Sequence, residues 1–428
     1  MFSGLALQLL NGLVGRVIKR GTLTIIDAKG RSHSHGSGAP HVAIRLANPS
    51  LYWRILTKPE LAVGEAYMDG ELIVTQGDLR EFLQVFHQNK SNLRKRPFRR
   101  HLASLVKKFR RFQQTNPIGR AQENVAHHYD ISNDFYRLFL DKDLAYSCAY
   151  FEYDGQPLED AQQAKYRHIA SKLRIEPGMR VLDIGCGWGG MAMYLAEHLG
   201  ARVVGVTLSI EQRDLAEARA KERGLSDQVE FRLMDYRNLS ETFDRIVSVG
   251  MFEHVGAPHY NEFFLKLSDL LDDGGLALIH SIGKRGEPGV TGPWIRKYIF
   301  PGGYSPSLSE PLIAIEKSGL WVTDIEILRL HYADTLREWG RRFAVNRAEA
   351  ARAFDERFCR MWEFYLATAE FAFRSGGHMN FQIQLAKNVS AAPVRRDYME
   401  TSERAQREGR QGLPEVGPSS VLAKKTAP

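Results

Sequence analysis

From about Gln122 onward, short apolar runs alternate with longer amphipathic stretches. Apolar runs of this length are typical of buried strands, and the stretches between them have the apolar spacing of helices, as in Ile210 to Arg223, where Gly224 follows as the C-cap. This alternation predicts βαβ units, and therefore an α/β domain with a doubly wound, mostly parallel sheet. The predicted strands are Arg180 to Asp183, Arg202 to Thr207, Val229 to Leu233, Asp244 to Val249 and Leu276 to Ser281.

The remaining segments predict further units, and the length of 428 residues fits two domains. Near the start, a helical segment precedes strand-like pieces at Thr22 to Asp27 and His41 to Leu46, with a polar loop between them. After Ala333 the chain becomes helical and rich in aromatic residues. The predicted units are a small N-terminal domain (1–90), a basic linker or membrane-surface segment (91–121), the α/β domain with extra C-terminal helices (122–394) and a polar, disordered tail (395–428).

Two segments have patterns that suit an anionic membrane surface. Residues 1–20 place apolar side chains near one helical face, with Arg16, Lys19 and Arg20 behind it, which fits either a surface-bound helix or an ordinary packed one. Arg94 to Arg111 contains nine basic residues among eighteen, which fits either an anionic bilayer or a solvated linker. The net charge of +8 indicates an anionic partner, either lipid or nucleic acid.

Composition limits the setting in which the protein works. No run of eighteen apolar residues is present, so no membrane-spanning helix is predicted. The first twenty residues lack the basic start of a signal peptide. The three cysteines, Cys148, Cys186 and Cys359, form no C-x-x-C pair and are odd in number, which favours a reduced, cytoplasmic protein.

The segment Val181 to Gly190, VLDIGCGWGG, joins a strand to a helix through glycines. Gly185 permits a sharp turn, and Gly187 lets the backbone approach a ligand closely. The negative charge of Asp183 suits the ammonium group of a methionine moiety, and it is unfavourable beside a negatively charged pyrophosphate. The same glycines also fit the G-x-G-x-x-G pattern of dinucleotide-binding proteins. The next strand, however, ends in Thr207, where a nicotinamide enzyme has an acidic residue that binds the ribose hydroxyls. The spacing therefore favours S-adenosylmethionine over NAD as the ligand.

Further polar side chains fall where predicted strands end. Glu253 follows the fourth strand, His280 lies at the end of the fifth, and Tyr332 begins a helical stretch. A carboxylate, an imidazole and a phenol at one mouth can abstract a proton or hold a small anion that does so. Each residue alone is more often structural, so their joint placement is what makes them candidates.

At this point the chain resembles the cyclopropane-fatty-acyl-phospholipid synthases of the cyclopropane/mycolic acid synthase family. The resemblance implies a class I S-adenosylmethionine methyltransferase fold and methyl transfer to a cis double bond of a phospholipid acyl chain, followed by proton loss to a bound bicarbonate and ring closure. The matching stretches, in order over roughly residues 60–385, are GEAYMDGELIV, HYDISNDFYRLFL, YSCAYF, VLDIGCGWGG, GVTLS, MDYRNL, FDRIVSVGMFEHVG, IFPGGYSPS and HYADTLREW.

The resemblance also assigns roles to individual residues. Glu253, His280 and Tyr332 would hold the bicarbonate through their side chains, with Cys148 and Ile282 offering backbone groups. The residues implied as contacts to S-adenosylmethionine are Tyr129, Tyr146 and Ser147 as its cover, Asp183, Gly185, Gly187 and Gly189 at the methionine end, Thr207, Leu208 and Gln212 at the ribose, and Asp235 and Tyr236 at the adenine.

Several alternatives stay open at this stage. Relatives often carry a cysteine in the late helix where this chain has Thr368, so no thiol nucleophile is assigned. The motifs do not separate ring closure from methylation without a ring, or from methylation of a small-molecule amine. A non-catalytic lipid-surface protein is a further alternative. A nucleic-acid methyltransferase is disfavoured, because the basic residues cluster in one stretch. We expect peripheral binding to anionic lipids at the inner face of the cell membrane, and the resemblance implies a possible homodimer.

Overall fold

The structure is a computed structural model that describes residues 2–94 and 132–409. Its N-terminal unit contains a three-stranded antiparallel sheet of order β1–β2–β3 with helices around it. The elements of this unit are α1 (Phe2–Val17), β1 (Arg20–Ile26), β2 (Ser32–Leu46), α2 (Ser50–Thr57), α3 (Pro59–Met68), β3 (Leu72–Gln76), α4 (Leu79–Gln88) and α5 (Lys90–Arg94).

The strand β2 is longer than the sequence predicts. Its first part, from Ser32 to Gly36, pairs with β1, although the sequence analysis assigned this polar stretch to a loop. Most side chains there are exposed, so no apolar alternation marks the strand.

The second unit is an α/β domain with a seven-stranded sheet of order β6–β5–β4–β7–β8–β10–β9. The predicted doubly wound, mostly parallel fold is confirmed, since β4 to β8 pair in parallel and β10 pairs antiparallel with both β8 and β9. The elements are α6 (Asn133–Arg137), α7 (Leu158–Leu173), β4 (Arg180–Ile184), α8 (Gly190–Leu199), β5 (Arg202–Thr207), α9 (Ile210–Glu222), β6 (Val229–Leu233), β7 (Phe243–Val249), α10 (Tyr260–Leu270), β8 (Leu271–Lys284), α11 (Pro293–Tyr298), α12 (Ser309–Ser318), β9 (Trp321–Ile327), α13 (His331–Ala353), α14 (Glu356–Phe371), β10 (His378–Ala386) and α15 (Asp397–Arg407).

The centre of this sheet is buried on both faces. Val181 and Val247 pack with α7 and α8 on one side, while Leu182 and Ile246 pack with α10 and α12 on the other. The strand order reverses between β4 and β7, which is where open α/β sheets bind ligands beyond the carboxyl ends of their strands. The fold therefore places its ligand crevice next to the glycine-rich turn.

The N-terminal unit packs against the helices that follow β8. The indole of Trp294 lies over Gly64, where an added Cβ would come within 2.4 Å of the ring. Glu65 accepts hydrogen bonds from Lys297 Nζ at 2.7 Å and from Tyr298 Oη at 2.8 Å. Because α11 also borders the second cavity described below, the N-terminal unit supports one wall of that cavity.

The predicted tail from residue 395 contains a packed helix in its described part. In α15, Tyr398 and Met399 are buried, and Gln384 Nε2 donates to Tyr398 Oη at 2.7 Å. The prediction of disorder was wrong for these residues, because the low average hydropathy of the segment hides a narrow apolar face. No helix in the described ranges combines the length and apolarity needed to cross a bilayer.

Removing α15 should destabilise the α/β domain. A chain ending at Arg395 loses the burial of Tyr398 and Met399, which should lower the free energy of unfolding by about 3–6 kcal/mol. A chain ending at Gly409 keeps the helix and is the control. Chemical denaturation measures both, and equal stability of the two chains would show that α15 contributes no packing energy.

Candidate active site

The turn after β4 is built on glycines in the left-handed backbone region. Gly185 has φ of +80° and Gly187 has φ of +54°. An added Cβ at Gly187 would meet no atom within 4 Å, whereas one at Gly185 would meet Met251 at 2.7 Å. The backbone of Gly187 is therefore left open for a ligand.

Gly189 packs closely against the sheet. It lies at the N-cap of α8, where an added Cβ would come within 2.5 Å of the Phe231 ring. It is not among the residues that line the cleft formed by this turn, and close helix–sheet packing accounts for the glycine, while its predicted contact with the ligand stays a prediction.

Most of the other predicted cofactor residues line a single cleft at the switch point of the sheet. The described residues of the prediction that line it are Tyr146, Ser147, Asp183, Gly185, Gly187, Thr207, Leu208, Gln212, Asp235 and Tyr236. Tyr129 lies outside the described residues. The cleft encloses ≈ 1280 Å³ including its open mouth, which accommodates a nucleoside ligand.

Asp183 is a buried carboxylate that lines this cleft. Its Oδ2 is buried without a hydrogen-bond partner among the described residues. Burial raises the pKa of Asp183 to about 7, an effect that the nearby Lys165 opposes. A buried carboxylate oxygen that lacks a partner suits a cationic ligand such as the methionine ammonium group, because that ligand would repay the desolvation cost.

Sequence analysis missed Lys165, which lines the same cleft from α7. Its Nζ donates to Ser147 Oγ at 2.9 Å, and burial lowers the pKa of Lys165 to about 8. The sequence gives one weak indication of this: Lys165 follows Ala161 and Ala164, two small apolar residues on the same helix that are buried in the structure.

Side-chain hydrogen bonds organise the far end of the cleft. Thr207 Oγ1 donates to Gln212 Oε1 at 2.8 Å, so the two residues expected at the ribose contact each other. Arg237, which the sequence analysis did not select, lines the cleft and holds Asp235 through bonds of 2.9 and 2.6 Å. Arg237 therefore fixes the position of the Asp235 carboxylate.

A second cavity adjoins the cleft and shares Tyr146, Ser147, Gly250 and His254 with it. It encloses ≈ 1350 Å³ including its mouth. All five residues predicted around the bicarbonate line this cavity, namely Cys148, Glu253, His280, Ile282 and Tyr332. The structure therefore brings the two predicted groups of residues together at one boundary.

Glu253 is anchored by the backbone at the end of β8. The N–H of Ile282 donates to Glu253 Oε1 at 2.6 Å, and Oε2 has no partner among the described residues. The backbone N–H of Ile282 is therefore occupied by the carboxylate, and the predicted contact of an Ile282 backbone group with bicarbonate stays a prediction. Burial raises the pKa of Glu253 to about 7.

His280 and Cys148 are both neutral groups in this cavity. Burial lowers the pKa of His280 to about 3, so its imidazole carries no charge near neutral pH. Burial raises the pKa of Cys148, whose thiol donates to Ala149 O at 3.3 Å. A protonated, buried thiol is inert as a nucleophile, so the side chain of Cys148 has no covalent role.

Aromatic side chains form much of the remaining wall. Tyr146 Oη lies 2.9 Å from Tyr365 Oη, and Tyr332 packs edge-on against Phe373 at 4.7 Å between ring centroids. The aromatic residues that line this cavity are Tyr146, Phe300, Tyr304, Tyr332, Tyr365 and Phe373. Thr368 also lines it, but its hydroxyl donates to Phe364 O at 2.6 Å.

The fold and the cleft together define a class I S-adenosylmethionine-dependent methyltransferase. The family model for mycolic acid cyclopropane synthetases matches residues 117–383, and the chain belongs to this family. A family of domains of unknown function matches residues 19–97.

Relatives extend this similarity beyond the catalytic domain. The chain is 39% identical to a cyclopropane-fatty-acyl-phospholipid synthase of Escherichia coli, over 82% of this chain and 90% of that protein. It is 38% identical to a probable fatty acid methyltransferase of Pseudomonas putida, over 79% and 85%. The solved cyclopropane synthase MmaA2 of Mycobacterium tuberculosis superimposes with a TM-score of 0.60 at 34% identity, covering 64% of this chain and 99% of that one.

Binding of S-adenosylmethionine should depend on the ionisation of Asp183. Because burial raises the pKa of this residue to about 7, the ligand-free protein is protonated there at lower pH, and a cationic ligand must displace that proton. The affinity should fall about tenfold per pH unit below this pKa. Calorimetry in buffers of different ionisation enthalpy should detect proton release on binding.

The variant Asp183→Asn should lose most of the affinity and all of its pH dependence. Asp235→Asn is the matched control: it removes another carboxylate that lines the cleft, and the pH dependence should stay as in the wild-type protein because Asp183 is unchanged. Affinity of the wild-type protein that stays constant from acidic to neutral pH would contradict the assignment.

Proposed function

We propose that this protein closes cyclopropane rings on cis-unsaturated acyl chains of membrane phospholipids. The observation that carries the proposal is the shared boundary of the two cavities at Tyr146, Ser147, Gly250 and His254. It puts a cleft that suits S-adenosylmethionine beside an aromatic cavity that contains a buried, half-satisfied carboxylate at Glu253.

S-adenosylmethionine supplies the methyl group. Methylation of an alkene leaves positive charge on the acyl chain, which water would quench, so the protein must keep the second cavity dry. The aromatic faces of Tyr332, Tyr365 and Phe300 supply such a wall. Each face that meets the charge is worth about 2 kcal/mol when desolvated.

Bicarbonate would serve as the base that takes the proton released on ring closure. The free Oε2 of Glu253 fits its hydroxyl group, because an ionised carboxylate only accepts hydrogen bonds. His280 and Tyr332 line the same cavity and offer donors for the remaining oxygens. Glu253 must be ionised for this arrangement, so activity should rise as pH increases through its pKa of about 7.

The N-terminal unit supplies a surface for the bilayer. The helices α1 and α2 pack together and expose Leu5, Leu9 and Trp53, with exposed fractions of 58%, 49% and 60%. Lys19, which follows α1, and Lys58, which follows α2, are also exposed. Apolar side chains beside cations suit an anionic membrane surface, so we place the protein on the cytoplasmic face of the membrane as a peripheral protein.

Methylation of the chain without ring closure is the second candidate. It is favoured by the 38% identity to the probable fatty acid methyltransferase of Pseudomonas putida. The two products differ in mass: a ring adds one CH2 to the acyl chain, and a saturated branch adds two further hydrogens. Proton NMR separates a ring from a methylene group of the same mass.

The test combines purified protein, S-adenosylmethionine with a labelled methyl group and vesicles of monounsaturated phospholipid, with and without added bicarbonate. The wild-type protein should form ring-containing chains. Glu253→Gln should lose about 10²-fold or more of turnover, because an amide donates where bicarbonate needs an acceptor. Calorimetric affinity for S-adenosylmethionine should stay unchanged.

The matched control is Glu370→Gln, a buried glutamate that lines neither cavity. It should retain near-normal turnover. Ring formation by Glu253→Gln at the wild-type rate would exclude the proposed role of Glu253. Labelling of an added amine but not of lipid would exclude the proposed substrate.

Membrane binding should depend on the apolar patch of α1 and α2. Replacing Leu5, Leu9 and Trp53 by serine should lower partitioning onto anionic vesicles by about tenfold or more, as measured by sedimentation. The control replaces Val345 and Val394 by serine, two apolar residues exposed elsewhere. Unchanged binding of the triple variant would locate the membrane contact elsewhere.

A further inference from the structure

The strand β10 carries amide side chains into the interior beneath the second cavity. Asn380, Gln382 and Gln384 are each no more than 2% exposed. Residues two apart on a strand point to the same face of the sheet, so these three amides share a face. Antiparallel pairing sets Gln382 directly opposite His280 of β8.

The contacts of Gln382 fix the orientation of its amide. Its Oε1 lies 2.8 Å from Nζ of Lys172, and a lysine ammonium group can only donate, so an oxygen must stand there. The amide nitrogen of Gln382 then faces Nδ1 of His280 at 3.2 Å and donates to it. A ring nitrogen that accepts a hydrogen bond carries no proton, so the neutral imidazole of His280 is protonated at Nε2.

The neighbouring amide is consistent with this protonation. Nε2 of His280 lies 3.2 Å from the Asn380 amide nitrogen, while the Asn380 oxygen is buried without a partner among the described residues. A half-turn of this amide sets its oxygen against the N–H of His280 and satisfies both groups. Asn380 lines the second cavity, so the Nε2–H of His280 beside it lies at the edge of that cavity.

A chain of ion pairs holds Lys172 in place. Lys172 is 1% exposed and contacts Glu326 Oε2, which also accepts from His168 Nε2 at 2.7 Å. His168 Nδ1 lies 2.5 Å from Oε1 of Glu403, a residue of α15. The contacts therefore run without interruption from the C-terminal helix to His280.

We propose that Gln382, held by Lys172, is a positioning residue that keeps His280 in the Nε2–H form. In this form Nε2 is always a donor and never an acceptor: it donates to the Asn380 oxygen, and an anion that enters the cavity would take over this hydrogen bond. The tautomer itself follows from the contacts, and only its use, donation to an anion, rests on the proposed function.

The charges around His280 support a neutral ring. Burial is the main cause of its lowered pKa, and the nearby cations Lys165 and Lys172 act in the same direction, as does His168. Glu326 opposes them. A neutral imidazole exists as one of two tautomers, and the hydrogen bond from Gln382 selects the Nε2–H form.

The direct test is nitrogen NMR of the wild-type protein labelled in histidine. The signals of His280 are assigned by their disappearance in His280→Asn. We expect a protonated Nε2 and an unprotonated Nδ1 at neutral pH, without any substrate. A protonated Nδ1 in the wild-type protein would overturn the inference.

Variants then link the tautomer to catalysis. Gln382→Glu places a carboxylate oxygen opposite Nδ1, so the proton should move to Nδ1. The kcat for methyl transfer should fall about 10- to 100-fold, with the affinity for S-adenosylmethionine unchanged. Gln384→Glu is the matched control, because it adds the same acid two residues along the strand without contacting His280. It should keep Nε2–H and most of the activity.

Gln382→Met covers the case in which Gln382→Glu does not fold. It removes the donor to Nδ1, so both tautomers should appear and kcat should fall less than in Gln382→Glu. A pure Nε2–H form in Gln382→Met, or equal loss of kcat in Gln384→Glu, would overturn the role of Gln382. Wild-type protein that shows Nε2–H yet transfers no methyl group to vesicles would instead refute the proposed function alone.

Discussion

The site is organised around two buried carboxylates, each with one oxygen that has no hydrogen-bond partner among the described residues. Asp183 and Glu253 have partnerless oxygens, and burial raises the pKa of both to about 7. Unpaired buried acceptors cost roughly 1–3 kcal/mol each, and a ligand that supplies the missing partner would offset that cost. Each carboxylate marks one of two adjoining cavities. The acceptors therefore indicate where a cation and a hydrogen-bond donor are expected.

The topology of the sheet brings these two carboxylates to the boundary between the two cavities. Asp183 lies near the end of β4, and Glu253 follows β7, which is the neighbouring strand on the other side of the switch point. The carboxyl ends of parallel strands share one edge, so two segments about seventy residues apart in sequence open onto the same crevice. Local glycine geometry decides which backbone remains open there, and Gly187 is the position with free space above it.

Much of this arrangement could be predicted from the sequence. The five parallel strands were predicted because each is an apolar run with turn residues on either side, and the cleft followed from VLDIGCGWGG. The strand β10 escaped prediction because its buried positions include Asn380, Gln382 and Gln384, so polar letters interrupt an interior strand. Helix α15 escaped because only a narrow face is buried. Lys165 and Arg237 act through tertiary contacts, which no local pattern reveals.

The position of β10 in the sheet has a consequence for how the protein is made. This strand fills the space between β8 and β9, yet it is synthesised after the two long helices α13 and α14. Pairing between His280 and Gln382 spans about a hundred residues, so it pays a large loop-closure cost and forms late. Until β10 is inserted, β8 has one open edge and His280 lacks both of its amide neighbours. The residues of the methyl-donor cleft are thus synthesised before the strand that sets the imidazole, and the site can be complete only after β10 has been made.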